Sequence, residues 1–269
     1  MHKVLFIVLL SISSTLSAQV LPQFGARSLG MGGTSLTIND VYSVYNNPGA
    51  FGALEQTAVG INYENRFLLA ELSTQSLSFG YHHENAGNFG LHFQQYGFNL
   101  YREFQGGLTY GRQLADHFYG GMSVQFHSIQ LGENYGTRNT ASGSIGIFYE
   151  ASEDLNFGFR VQNVSRTILA EYDNERLPTR FGLGMSYAFS EKLMWTLEAE
   201  KPILHPVNIK SGLEIQPHEI VYLRFGVNSY PFQSTFGFGL EFGKLAFDMA
   251  AIWNNQLGMS PSAGLKYEF

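Results

Sequence analysis

Histidine, serine and the carboxylates are the residues of this sequence that could perform acid–base, nucleophilic or metal chemistry. His127 and Ser128 are adjacent, but neighbours on a strand point to opposite faces and cannot form a dyad together. His82 and His83 precede Glu84 in a predicted turn, and the sequence supplies no third and fourth metal ligand there. No nucleophile elbow, zinc-protease motif or paired-carboxylate spacing is present, so we expect no catalytic activity, no metal and no cofactor. The eight histidines are His2, His82, His83, His92, His117, His127, His205 and His218.

The overall composition indicates a β protein that contacts an apolar phase. Of the 269 residues, 44% are hydrophobic and 14% charged, with 30 glycines, 23 phenylalanines and no cysteine. Such a chain is too apolar and too weakly charged for disorder, and it cannot be a disulfide scaffold. Its 16 Lys and Arg against 22 Asp and Glu give a net charge of -6. We therefore expect no nucleic-acid partner, because phosphate binding needs a basic surface.

Residues 1–18 have the pattern of an export signal. Lys3 is followed by an unbroken apolar run over residues 4–10, and Ala18 ends a cleavage site before Gln19. An N-terminal membrane anchor is the alternative, but the run is far shorter than the ~20 residues of a spanning helix. No cysteine follows Ala18, which excludes a bacterial lipoprotein. No later segment could span as a helix, so any further membrane crossing must use strands.

From about residue 56 onward the sequence alternates with a period of two, as in a strand with two different faces. Phe181, Leu183 and Met185 share one parity, whereas Gly182 and Gly184 share the other. A soluble β-sandwich or lipocalin-like barrel would also alternate, with its apolar face inward. The second parity is poor in charge and the apolar parity has almost no Lys or Arg, which favours an apolar face directed at lipid. The same split recurs in 155–163, 220–228, 235–242 and 262–269.

The connections between these segments alternate between tight and longer links, a rhythm typical of outer-membrane barrels. Tight turns are predicted at 115–116, 152–154, 190–192, 216–218 and 243–244, and longer links near 131–138, 165–178, 202–206, 229–233 and 254–260. Strand starts near 56, 75, 87, 102, 117, 139, 154, 179, 193, 206, 219, 233, 245 and 260 give about fourteen strands. We therefore predict an all-β fold over residues 56–269, a transmembrane antiparallel up-and-down β-barrel. Its first two strands are the least clearly patterned, because 64–74 could instead be a loop over the mouth.

In such a barrel the second parity faces the enclosed interior. Its charged and amide members are the candidate lumen-facing residues. They are Arg160, Gln162, Arg224, Glu241 and Lys266.

Residues 25–55 do not have the pattern of a membrane strand. Gly30, Gly32 and Gly33 indicate tight turns, and Asn39-Asp40 is placed to cap a short helix that ends before Asn46. The glycines do not form a dinucleotide loop, because no strand precedes them and no acidic partner follows at the required spacing.

The same segment resembles the FadL-type outer-membrane barrels and, within them, the PorV/PorQ-like branch of Bacteroidetes. The matching residues are Gly25-Ala26-Arg27, Gly30 to Gly33, Asn39-Asp40 and Asn47-Pro48-Gly49-Ala50, in which Gly49 interrupts the Asn-Pro-Ala element of the family. The resemblance implies that residues 19–55 fold into the lumen as a hatch. It also implies that Tyr267 and Phe269 belong to a C-terminal signal for the outer-membrane assembly machinery. The candidate gate residues are Gly30, Gly32, Gly33, Asn46, Asn47, Pro48 and Gly49.

Three functions remain open at this point. The FadL-type resemblance implies a gated channel for small hydrophobic molecules in the bacterial outer membrane. The PorV/PorQ-like resemblance implies instead an accessory barrel of the type IX secretion system that binds secreted cargo or partner proteins. The third is a structural barrel without transport, in which the hatch only fills the lumen. The expected partners are outer-membrane lipid, the assembly machinery, and either hydrophobic small molecules or secretion-system components.

Overall fold

The computed structural model describes residues 25–132, 136–170 and 175–269. The signal peptide predicted for residues 1–18 and the first residues of the predicted hatch, 19–24, lie outside the described residues. None of the described helices is long and apolar enough to cross a membrane.

Most of the chain forms strands, preceded by three short helices. The helices are α1 (Ala26–Gly30), α2 (Ser43–Asn46) and α3 (Pro48–Phe51), and two 3₁₀ turns follow at Arg66–Leu68 and Ala70–Leu72. The strands are β1 (Ala58–Asn65), β2 (Ser73–Tyr81), β3 (Asn88–Phe98), β4 (Tyr101–Ala115), β5 (Phe118–Leu131), β6 (Gly136–Glu150), β7 (Leu155–Gln162), β8 (Ile168–Ala170), β9 (Glu175–Arg176), β10 (Arg180–Ser190), β11 (Leu193–Pro202), β12 (Asn208–His218), β13 (Val221–Ser229), β14 (Phe232–Phe242), β15 (Leu245–Asn254) and β16 (Gly258–Glu268).

Fourteen of these strands close into one antiparallel barrel, which confirms the predicted fold class and strand number. Each strand pairs with its neighbours along the chain, and β1 closes the barrel on β16 with Ala58 opposite Glu268. The short β8 and β9 pair only with each other, in the connection between β7 and β10. Closure leaves the barrel without an unpaired edge, which is the condition for a sheet to span lipid.

The two parities of each strand face opposite sides of the wall. Leu183 and Phe189 of β10 are each 60% exposed on the outside, whereas Ser186 of the same strand is 2% exposed on the inside. The outer face is therefore apolar and the inner face small or polar, the arrangement of a transmembrane barrel. The largest apolar cluster of buried residues lies inside the barrel and is formed mainly by the segment 41–54.

The connections differ from the predicted ones at several places. Only Tyr230 and Pro231 separate β13 from β14, and only residues 255–257 separate β15 from β16, where longer links were predicted. The predicted turn at Gln216–His218 is also wrong, because β12 continues to His218 through an irregularity of register after Ile215. Strand ends lie at the margins of the apolar band, where polar residues can continue the ladder, so the sequence pattern does not mark them.

The connections between the strands lie at two opposite ends of the barrel. The turn end is the one at which β16 ends, and it includes the connection 82–87 and the short turns at 116–117, 191–192 and 243–244. The loop end is the opposite one, with the connections 66–72, 99–100 and 203–207. His82 and His83 lie in the connection 82–87 of the turn end, as predicted.

Candidate functional site in the barrel lumen

Residues 25–55, here called the hatch, lie inside the barrel and touch its wall on several sides. Helix α1 packs against β13 to β16, α2 lies near β2 to β4, and α3 lies against β4 to β7. Inward glycines of the wall leave room for these contacts: Tyr42 packs against Gly60, and Leu36 packs against Gly182. The hatch is therefore enclosed by the wall over the full length that the structure describes.

The first turn of the hatch is fixed to β14 through its backbone. The Gly32 N–H donates to Thr235 Oγ1 at 2.8 Å, and Thr235 Oγ1 donates to the Gly30 carbonyl at 2.8 Å. Gly32 has a positive φ of 72°, and a Cβ there would lie 2.6 Å from the Val227 carbonyl oxygen and 2.7 Å from that of Ser211. Gly33 also has a positive φ, and its N–H closes the turn on Ser28. A residue with a side chain fits neither the conformation nor the space at position 32.

The Asn47-Pro48-Gly49 segment fixes the second half of the hatch. The Asn47 side-chain oxygen caps α3 by accepting from the Gly49 N–H at 3.0 Å, and Pro48 occupies the first turn. The Asn47 amide nitrogen donates to the Leu36 carbonyl at 2.6 Å and to the Ile147 carbonyl of β6 at 3.2 Å. One side chain thus joins two parts of the hatch to the wall.

Asn39-Asp40 does not cap the helix as predicted, because α2 begins at Ser43 and its N-cap is Tyr42. The Asp40 carboxylate instead accepts from the Tyr42 N–H at 2.9 Å, which closes a turn before the helix. Burial raises the pKa of the Asp40 carboxyl, and nearby Lys266 and Arg27 oppose that shift. Burial also raises the pKa of the Tyr42 phenol well above its usual value. The Tyr42 hydroxyl donates to the carbonyl of Ile61 at 2.9 Å.

A chain of charged residues ties α1 to the strands β12, β13 and β15. Arg27 of the hatch contacts Glu214 through two bonds, Nε to Oε2 at 2.9 Å and Nη2 to Oε1 at 2.7 Å. Glu214 also accepts from Arg224 Nε at 2.5 Å, and Arg224 Nη1 contacts Asp248 Oδ1 at 2.6 Å. Two guanidinium groups and two carboxylates thus neutralise each other in a row that is buried except at Arg27, which is partly exposed.

A second charged group lies nearer the loop end, on β7 and β10 to β12. Lys210 Nζ contacts Glu198 Oε1 at 3.0 Å and Glu200 Oε2 at 3.2 Å, and Arg160 Nη2 lies 3.4 Å from Glu200 Oε2. This group also holds the hatch. Glu198 Oε2 accepts from the Ser35 N–H at 2.9 Å, and Arg160 donates to the Asn46 carbonyl. We call the two groups together the charged wall, comprising Arg160, Arg180, Glu198, Glu200, Lys210, Glu214, Arg224 and Asp248.

The remaining candidate lumen residues occupy different places. Gln162 is buried beside the charged wall and donates from Nε2 to the Tyr45 hydroxyl at 3.0 Å. Glu241 and Lys266 are half-buried near the turn end, where Lys266 Nζ contacts Glu268 Oε1 at 2.8 Å. Tyr267 and Phe269 are exposed on the outer face of the barrel at the turn end.

Strands β2 to β6 carry a group of inward serine, glutamine and histidine side chains that the sequence analysis did not single out. His127 Nε2 lies 2.9 Å from Ser142 Oγ, and the His92 ring packs edge-on against the hatch residue Tyr45 at 5.2 Å between centroids. The alternation of β4 is obscured at Gly106-Gly107, which hid the inward position of Gln105. We call this surface the neutral wall, comprising Ser78, His92, Gln94, Gln105, Gln125, His127, Ser142 and Ser144, all of them buried.

The connection 66–72 lies at the loop end, as the alternative interpretation of 64–74 anticipated. Its Phe67 N–H donates to Ser260 Oγ of β16 at 3.0 Å. Arg66 contacts Glu64 Oε1 at 3.1 Å and lies 5.4 Å from the centre of the Tyr96 ring. Charged and aromatic groups therefore lie at this end of the lumen.

No family model matches the sequence, and no curated protein matches it. Solved structures match its fold at low sequence identity. The monoaromatic hydrocarbon channel CymD has a TM-score of 0.67 at 12% identity and covers 91% of this chain and 97% of its own. The Pseudomonas putida toluene transporter TodX has a TM-score of 0.65 at 12% identity, covering 92% and 98%. A Pseudomonas aeruginosa FadL homologue has a TM-score of 0.59 at 14% identity, covering 92% and 97%. The chain thus has the fold of the FadL-type barrels, whereas its placement in the PorV/PorQ-like branch stays a prediction.

Proposed function

We propose that this protein is an outer-membrane channel for small apolar molecules, in which the hatch is the gate. The main support is the way in which the hatch is held. Its contacts with the charged wall are separate hydrogen bonds and ion pairs, from Arg27, Ser35 and Asn46, and Thr34 adds a hydrogen bond to Thr196 of β11. Such bonds can be exchanged for bonds to water at a modest net cost, so a hatch held by them can be released without unfolding the barrel.

The internal packing of the hatch also suits movement as a unit. Val41, Tyr42, Val44, Phe51 and Leu54 belong to a single apolar cluster, and where they meet the wall they lie against glycines such as Gly60, Gly80 and Gly90. This cluster can stay together when the polar contacts with the wall are lost. The apolar permeant is supported by the likeness in fold to proteins described as a monoaromatic hydrocarbon channel and a toluene transporter.

A reversible cross-link tests the gate in one molecule. Thr34 Oγ1 of the hatch lies 2.7 Å from Thr196 Oγ1 of β11, and the natural chain has no cysteine. Because each oxygen is one bond from its Cβ, the two Cβ atoms lie close enough for a disulfide to be attempted between these positions. The Thr34→Cys/Thr196→Cys variant can therefore be locked by oxidation and released by a reductant.

The readouts are ion conductance in planar bilayers and toluene uptake into vesicles with a lipopolysaccharide outer leaflet. We expect the oxidised variant to conduct and take up less than the reduced variant, and deletion of residues 19–55 to raise both. Wild-type protein under the same oxidant is the control, since it has no thiol to oxidise. Equal signals from the oxidised, reduced and hatch-deleted proteins would rule out the gate. Uptake no faster than in protein-free vesicles would rule out the channel and would leave a structural barrel or a secretion accessory protein. The secretion function predicts that a strain lacking this protein retains its secreted cargo.

A further inference from the structure

We propose that the neutral wall is a binding site for a small uncharged molecule bearing a hydroxyl group, so that the preferred permeants are alcohols or phenols rather than plain hydrocarbons. The inference rests on the proposed channel function and specifies its substrate class. It starts from polar atoms of the neutral wall that are buried without a hydrogen-bond partner among the described residues. These atoms are Ser78 Oγ, Gln94 Oε1, Gln105 Nε2 and Ser144 Oγ.

The four side chains are deeply buried. Three of them come from the consecutive strands β2, β3 and β4, and Ser144 comes from β6. Ser78 is 0%, Ser144 2%, and Gln94 and Gln105 each 6% exposed. Gln94 of β3 lies directly opposite Gln105 of β4 in the sheet, so both side chains leave the wall at the same height. A buried donor or acceptor without a partner costs about 1–3 kcal/mol. A bound group that satisfies several of these atoms would therefore gain affinity.

A hydroxyl group fits the pair formed by Gln94 and Gln105. Gln94 offers an acceptor, Oε1, and Gln105 offers a donor, Nε2. A hydroxyl has one donor and two acceptor lone pairs, so one such group can donate to Gln94 and accept from Gln105. A methyl group in the same place would leave both atoms unpaired.

The charge pattern of the lumen favours a neutral molecule. Every residue of the neutral wall is a serine, a glutamine or a histidine, whereas the carboxylates and cations of the charged wall contact one another. Toward the loop end, Arg66 contacts Glu64, and the Tyr101 hydroxyl donates to Glu103. A charged molecule on the neutral wall would lose its hydration without gaining an opposite charge.

The hatch supplies an apolar floor beside these polar groups. Val44 packs against Gly90 of β3, and its carbonyl accepts from Thr109 of β4 at 2.6 Å. The Tyr45 ring lies edge-on to His92 at 5.2 Å. A molecule with an apolar body and one hydroxyl can thus contact the hatch with its body and the glutamines with its hydroxyl.

Phenol and toluene test the inference, because they have nearly the same shape and differ in one hydroxyl. Binding of each is measured by titration calorimetry on the full chain in detergent micelles, against empty micelles. We expect phenol to bind wild-type protein about tenfold or more tightly than toluene, since sites built to bond a hydroxyl discriminate strongly against analogues without one. In Gln94→Leu/Gln105→Leu we expect that preference to be lost.

The matched control is Gln95→Leu, which removes the same amide from the outward face of β3. It should leave both affinities unchanged. A change of mobility on heating in detergent gels identifies the variants that fold. If the double variant does not fold, Gln94→Leu and Gln105→Leu are tested separately, and each should lose part of the preference for phenol over toluene. Equal binding of phenol and toluene, or an equal loss in Gln95→Leu, would overturn the inference.

The two proposals fail in different ways. Selective phenol binding without conductance or uptake in the reconstitution experiments would keep the site and refute the channel. Equal uptake of phenol and toluene, together with equal binding, would keep the channel and refute the hydroxyl preference.

Discussion

Replacing Glu214 by glutamine should release the hatch more often than replacing Arg27 by methionine, although both changes break the same ion pair. In Arg27→Met the hatch loses two charge-assisted bonds, but Glu214 keeps Arg224 at 2.5 Å. In Glu214→Gln the Arg27 guanidinium remains next to that of Arg224 with only a neutral amide between them. Two like charges then face each other in a site where only the Arg224–Asp248 contact remains.

The expected sizes follow from burial. Breaking a fully buried pair by removing one partner costs about 3–5 kcal/mol. The Arg27 side chain is 26% exposed and Glu214 only 7%, so water offsets part of this cost for the hatch. We expect about 1–2 kcal/mol of docking free energy lost in Arg27→Met and about 2–3 kcal/mol in Glu214→Gln. A free-energy change of about 1.4 kcal/mol corresponds to a factor of ten in an equilibrium constant. The ratio of closed to open hatch should therefore fall about 5- to 30-fold in Arg27→Met and about 30- to 150-fold in Glu214→Gln.

The assay is the open probability in planar bilayers for both single variants and the double variant. The double variant should resemble Arg27→Met, because both changes remove the same Arg27–Glu214 interaction. Without the Arg27 guanidinium, no like charge remains opposite Arg224. Glu268→Gln is the control, because it breaks the wall pair with Lys266 at the turn end without removing a hatch contact, and it should change nothing measurable. Additive effects of the two single changes, or an open probability no higher in Glu214→Gln than in Arg27→Met, would refute the anchoring role of this pair.

Four other perturbations have defined outcomes. Burial raises the Asp40 pKa, so the docked hatch binds a proton more readily than the free one, and docking should be strongest at low pH and weaken as pH rises through the raised pKa. Asp40→Asn should therefore increase hydrogen-exchange protection of residues 25–55 at pH 7 and abolish its pH dependence; unchanged protection would contradict this. Gly32→Ala should lower the same protection by about 1–3 kcal/mol, because its φ is 72° and the wall leaves no room for a Cβ. Leu183→Arg should lower the free energy of unfolding in vesicles, measured by urea titration, by about 2–4 kcal/mol. Phe189→Arg should cost only about 0–1 kcal/mol, because Phe189 is equally exposed but lies at the end of the strand. Equal costs would contradict the placement of Leu183 deeper in the membrane than Phe189. Phe269→Ser should reduce the amount of barrel assembled in cells without reducing the stability of protein refolded in detergent.

The fold could be predicted because period two assigns every strand residue to a face. The alternation of Phe181 and Leu183 with Gly182 and Gly184 needs no knowledge of the neighbouring strand, and neither does the number of such segments. Lengths of connections are less well encoded. The two residues between β13 and β14 follow from where pairing stops, which depends on both strands at once.

The contacts of the site could not be predicted from the sequence. Arg27 and Glu214 are 187 positions apart, and Thr34 and Thr196 are 162 apart. Parity placed Arg224 and Arg160 on the inner face, but it gives no information about which hatch residue lies opposite them. The neutral wall did have a signal, since His92 and Gln94 share the inward parity of β3. That signal is weak, because serine, glutamine and histidine on the inward parity are also the ordinary lining of a barrel.

The two walls together explain why an uncharged permeant and a fixed hatch are compatible in one lumen. Each carboxylate or guanidinium of the charged wall has an opposite charge within 3.5 Å, so the row can be buried although single charges could not. A charged solute moving past this wall would have to break such pairs or remain unpaired in a poorly hydrated interior. A neutral solute on the neutral wall competes with none of these ion pairs and meets serine, glutamine and histidine side chains that can form hydrogen bonds with it. In the proposed channel, the charges that hold the hatch would thereby also select against charged molecules.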